Sequence, residues 1–73
     1  DLAAAERHLR RAERLDADHP EVQDNLAVIE INTGRLQEAR QRLERLLHNH
    51  PEFAPAQRHY DALRRHLDGA SPR

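Results

Sequence analysis

Residues 20–51 read P-E-V-Q-D-N-L-A-V-I-E-I-N-T-G-R-L-Q-E-A-R-Q-R-L-E-R-L-L-H-N-H-P, from Pro20 to Pro51, and hold two helical patterns joined by one turn. In the first, Val22, Leu26, Ile29 and Thr33 recur at spacings of four, three and four, the helical period. Thr33-Gly34 closes it, because glycine lacks the Cβ that resists the left-handed conformation in which many helices end. The second pattern sets Leu36, Ala39, Leu43 and Leu46/Leu47 on one face. It stops at His50-Pro51, since the proline ring disfavours a helical residue before it. So short a turn predicts an antiparallel hairpin whose apolar faces meet.

Sliding the chain by 34 residues lays Leu2 on Leu36, Ala5 on Ala39, Leu9 on Leu43, Arg11 on Arg45 and Gln23 on Gln57. Apolar character persists where the letters change: Ala12 meets Leu46, Val22 meets Ala56, Leu26 meets Tyr60, Val28 meets Ala62 and Ile29 meets Leu63. The chain is thus a helical repeat array caught out of phase. On these residues it resembles the tetratricopeptide repeat family. The family's small or apolar positions in the first helix match Leu26 and Ala27, its turn glycine Gly34, and its alanine early in the second helix Ala39. Leu43 stands at the aromatic position one turn later, Leu46 at the next small one, and Pro51 at the closing proline. Two positions depart: Glu30 stands where a large aromatic is usual, and Ala27 where glycine is. The resemblance implies an all-α superhelix of antiparallel helix-turn-helix repeats.

The pattern predicts one repeat domain over residues 1–69, with helices over about 2–15, 20–33, 36–48 and 53–68, and a flexible tail at 70–73. Asp1 is placed to cap the first helix, and Asp18 or His19 the second, with Pro20 in its opening turn. The first helix has a narrow stripe of Leu2, Ala5, Leu9, Ala12 and Leu15, and by the repeat it is the second helix of a unit whose mate is missing. The chain opens at Asp1 and reads as a piece of a longer protein, so either more chain lies upstream or this seam pairs with another molecule, such as a second copy. The second helix is apolar on more than one face and should be the central layer. The last has one stripe, Phe53, Ala56, Tyr60, Leu63 and Leu67, as a capping helix needs. Glu6 with Arg10, and Glu38 with Arg42, are four-apart pairs of the stabilising orientation.

Seventy-three residues give a marginal core, and with one Phe and one Tyr it must be built of leucine and alanine. The formal net charge is −1, so no general field draws nucleic acid or an anionic membrane. All 12 basic residues are arginine, which points to a GC-rich coding sequence and a bacterial source. The absence of cysteine removes disulfides, thiolate metal sites and cysteine nucleophiles, and identifies no compartment. No apolar run is long enough to span a membrane.

Six histidines invite a metal reading, but His48 and His50 lie two apart and His59 and His66 seven apart, without the four-residue spacing that aims two imidazoles at one ion. No metal, cofactor or catalytic residue is expected. The only serine is in the tail, no glycine-rich phosphate loop occurs, and the carboxylates read as solvated surface groups. Arginines interleaved with Glu6, Glu13, Glu38, Glu44 and Asp61, without exposed aromatics for stacking, argue against RNA.

The remaining candidate is a groove. The resemblance implies that the first helix of each unit lines a concave surface, which sets Glu21, Asp24, Val28, Ile31 and Asn32 beside Arg58, Ala62, Arg65 and His66. The alternative is that Val28 and Ile31 pack under neighbouring helices and the arginines are merely solvated. The family's carboxylate-clamp subtype, which grips chaperone C-termini, is not matched, since Asp24 and Val28 hold positions where it uses lysine and asparagine and only Asn25 agrees. The expected function is a non-catalytic scaffold that binds a peptide or partner protein. Two alternatives are a substrate-positioning accessory domain of a larger enzyme and a segment that self-associates through the first helix.

Overall fold

The computed structural model describes residues 1–69, and within them four helices run α1 (Leu2–Leu15), α2 (Pro20–Asn32), α3 (Leu36–Asn49) and α4 (Ala54–Gly69). The segment 70–73, expected to be a flexible tail, lies outside the described residues. The helices stack into a slab of 43 × 29 × 15 Å, and α2 packs on all three others.

The turn after α2 shows why the hairpin closes where it does. Gly34 has φ +80°, the left-handed region, and a Cβ built there would meet nothing within 4 Å, so backbone conformation alone calls for glycine. Gly34 donates its N–H to the carbonyl of Ile31 at 3.2 Å, and Arg35 donates to that of Glu30 at 2.8 Å. These two bonds satisfy carbonyls that a helix end leaves open. Thr33 adds its hydroxyl to the Ile29 carbonyl at 2.8 Å. At the other ends, Asp1 Oδ1 caps α1 by accepting from the Ala3 N–H at 3.0 Å. His19 holds the cap position of α2, yet neither it nor Asp18 makes a side-chain cap. Asp18 turns instead to α3, accepting from Asn49 Nδ2 and pairing with His50 Nε2, each at 3.1 Å. The last helix, expected over about 53–68, runs from Ala54 to Gly69.

The core is thin and made of small and branched side chains. Ala27, Ala39, Leu43, Leu46, Ala56 and Leu63 form one buried cluster, against which Ile31, Leu36, Phe53 and Tyr60 are packed. Three fully buried alanines, one on each of α2, α3 and α4, let those helices approach closely around Leu43. Burying such a leucine stabilises by about 1.5–3 kcal/mol. The face of α2 turned to α3 differs from the expected one: it carries Ala27 and Ile31, whereas Leu26 and Ile29 are buried outside this cluster. Leu26 sits about 100° round the helix from Ala27.

The first helix supplies little apolar cover in return. It buries no residue fully; Ala5, Leu9 and Ala12 are half-buried, while Leu2 and Leu15 at the ends of its stripe are exposed. Charged side chains make up the join.

Candidate functional site

Between α1, α2 and α3 lies a chain of ion pairs centred on Glu30, which is 1% exposed. Arg42 donates Nε–H and Nη2–H to the two oxygens of Glu30, both at 3.0 Å, the bidentate geometry in which a guanidinium best matches a carboxylate. Its Nη1 donates to Glu13 Oε2 at 2.9 Å and to Gln23 Oε1 at 2.7 Å. Gln23, also buried, passes its amide hydrogens to Glu13 and to the Ala17 carbonyl, both at 2.8 Å. At the near end, Arg35 grips both oxygens of Glu6 at 3.1 Å, and Arg10 joins Glu6 to Glu13 at 3.3 and 3.4 Å.

The electrostatic consequences follow from these bonds. The Gln23 amide, followed by Arg42, holds the Glu13 carboxyl below its usual range against the opposing effect of burial. Arg35 does the same for Glu6, and Glu6 raises Arg35 in turn. For Arg42, burial alone would lower the guanidinium, but the bonds from Glu30 and Glu13 outweigh it and the net shift is upward. Two expectations are corrected here. Arg42 is taken by Glu30 rather than by Glu38, and Glu30 is no solvated surface acid. A carboxylate sealed among helices needs a cation, and the position where the family carries an aromatic is filled here by an acid and its arginine. The inner members of this cluster, Glu30 and Gln23, are buried and taken by their own partners.

The open site lies between α2 and α4. A shallow groove of about 450 Å³ has Val28, Ile31 and Asn32 on one wall and His59, Ala62 and His66 on the other, with Leu63 beneath and Leu36 at its end. Val28 and Ile31 are half-buried, Asn32, Ala62 and His66 exposed. Along α1 a second depression of about 450 Å³ is lined by Glu6 and the arginines at 7, 10, 11 and 14, with Ala3 as its sole apolar side chain.

Of the residues expected to share a concave face, Val28, Ile31, Asn32, Ala62 and His66 come together round the groove. Glu21, Arg58 and Arg65 are exposed outside its lining. Asp24 is 5% exposed and presents no free acid, because His59 Nδ1 lies 2.8 Å from its Oδ1. A carboxylate can only accept, so the proton of this pair sits on Nδ1 and the ring of His59 is fixed with Nε2 at its far side. His59, Leu36 and Leu63 were not anticipated in the groove. The spacing of seven between His59 and His66 was the signal for the first, since it puts both on one face of α4. Tyr60, on another face, donates to Glu44 Oε2 at 2.7 Å, and that bond raises its phenol above the usual value.

Among the described residues no three His, Asp or Glu side chains stand as a metal site, and no helix is long and apolar enough to cross a membrane. Antiparallel helical hairpins stacked side by side define an all-α helical repeat protein. Compared with known families, the chain matches the tetratricopeptide repeat over residues 1–67, and it belongs to that family. No curated protein and no solved structure matches it. The family's general role is protein–protein interaction scaffolding, and that is the broad class of this chain; domains of the family are typically non-catalytic.

Proposed function

We propose that residues 1–69 act as one unit that holds a peptide or a segment of a partner protein in the groove between α2 and α4, without chemistry of its own. The observation that carries this reading is the apolar surface of Val28 and Ile31 on one wall and Ala62 on the other, left partly open above the buried Leu63. The ionic cluster supports it indirectly, by tying α1 to α2 and α3 while contributing nothing to the groove lining. Stacked hairpins make such a surface without strained loops, and a bound segment displaces water from apolar side chains that the fold leaves uncovered.

The test is selection of displayed peptides on the intact chain, followed by binding to an Ala62→Trp variant. Ala62 is exposed on the groove wall, so the indole fills the groove without entering the core. Selected peptides should lose binding to the variant. Peptides that bind both chains equally would place the interaction elsewhere.

A further inference from the structure

The charges around the groove are sorted by sign, and the sorting says what kind of segment fits. At about 100° per residue, Asp61 and Asp68 fall on the side of α4 opposite His59 and His66. The groove side of α4 thus carries His59 and His66, with Arg58 and Arg65 flanking beyond Ala62. Arg58, Arg65 and His66 make no ion pair or side-chain hydrogen bond among the described residues. Across the groove, Asp24 of α2 is buried and consumed by His59, which leaves exposed Glu21, in the first turn of α2 and outside the lining, as the one unpaired carboxylate of that helix. From α3 the groove receives only Leu36, which is uncharged.

Given the groove reading above, on which this rests, we propose that the groove selects an acidic segment with apolar anchors, and that His59, oriented by Asp24, reads its carboxylate while taking up a proton. The apolar anchor sits on Val28, Ile31 and Leu63. A ligand carboxylate arriving at His59 Nε2 can only accept a hydrogen bond, so Nε2 must carry a proton. With Nδ1–H already donated to Asp24, that proton comes from solvent and the ring becomes an imidazolium between two carboxylates. Asp24 is a positioning residue: it fixes the ring and offsets the imidazolium charge from behind. The groups facing His59 are Asp24 and, further off, Glu21 from α2, with Arg58, Arg65 and His66 on its own helix. His59 and His66 are seven residues apart, about 10.5 Å along the helix axis, which a polyproline-II-like chain, whose side chains return to one face every third residue, covers in about three residues. The fitting segment therefore carries acids three positions apart with an apolar residue between them. A nucleic-acid backbone offers anions too, but the groove lining has no Phe, Tyr or Trp ring on which a base could stack.

The experiment uses three matched synthetic peptides that share leucine anchors and carry glutamate, glutamine or lysine at the flanking positions, with a single-stranded oligouridine as the competing anion. Anisotropy titrations on the intact chain at about pH 6 and about pH 8 span the range in which histidines change charge. The glutamate peptide should bind roughly tenfold tighter than the glutamine peptide at the lower pH, with the margin narrowing at the higher pH and in salt. The lysine peptide should be weakest, and Ala62→Trp should remove binding. His59→Gln should erase the pH dependence while keeping the helical circular dichroism, and Asp24→Asn should flatten it. Equal affinity for the glutamate and glutamine peptides, still lost in Ala62→Trp, overturns acid selection and leaves the groove reading standing. No binding by any peptide, or binding that ignores Ala62→Trp, overturns the groove itself. A pH dependence that survives His59→Gln removes that residue from the mechanism, and oligouridine that displaces the glutamate peptide makes the face a nucleic-acid surface.

Discussion

Replacing Arg42 by methionine keeps an unbranched apolar stem and removes the cation from a carboxylate that has almost no access to water. Glu30 has a side chain 2% exposed, loses two bonds of 3.0 Å, and keeps only Arg10, at 4.0 Å. Losing one partner of such a pair costs about 3–5 kcal/mol, most of it the penalty of a buried charge left alone. Glu13 adds little, since it is partly solvated and keeps its bond from Gln23. A 73-residue chain at roughly 0.05–0.15 kcal/mol per residue has about 4–11 kcal/mol in total, so Arg42→Met should remove at least about a quarter of the stability and unfold a chain at the low end of that range. Adding Glu30→Leu removes the stranded charge. Because an apolar pair often replaces a buried ion pair at no loss, the double variant should regain at least about 2 kcal/mol over the single. Urea unfolding followed by far-ultraviolet circular dichroism gives both values from the midpoint and slope. A single variant within about 1 kcal/mol of the parent, or a double variant less stable than the single, would refute the buried pairing.

Three further outcomes follow from the same geometry. Gly34→Ala should cost about 1–2 kcal/mol, a purely conformational loss because a Cβ there touches nothing, and an unchanged melt would mean that the left-handed helix end is not kept. Leu43→Ala and Leu26→Ala should each cost about 2–5 kcal/mol, and thermal melts matching the parent would contradict the burial of both. The folded Glu13 carboxyl lies below its unfolded value near 4.5, so the stability it contributes is complete above that pH and is lost as pH falls through the lowered value. Glu13→Gln should therefore flatten the acid limb of stability against pH, and limbs that run parallel in the two chains would exclude the effect.

The fold was legible because its period is written in side chains that have little choice of environment. Leucines and alanines recurring at helical spacing, and a glycine where the chain must turn left-handed, can be read without coordinates. The ionic cluster could not be read in the same way, since an acid or arginine in a helix is solvated far more often than buried. Glu30 nevertheless carried two signals: it stands between Ile29 and Ile31 in a helix without arginine, and it occupies a position where the family buries an aromatic. Its partner was misassigned because Glu38 is four residues from Arg42 and Glu30 is 12, so local pairing looked sufficient. The 34-residue shift did not help, because it sets Glu30 on Arg64, an exposed residue over the Tyr60 ring. The groove divides along the same line. Val28, Ile31, Asn32, Ala62 and His66 share faces fixed by periodicity and meet across two parallel-stacked helices, as a repeat array requires. Whether Asp24 faced outward or spent its charge on His59 depended on the depth of packing between α2 and α4, which periodicity does not encode. Residues whose neighbours lie within one helical turn are thus the ones a sequence exposes, and charges that find partners a whole helix away are the ones it hides.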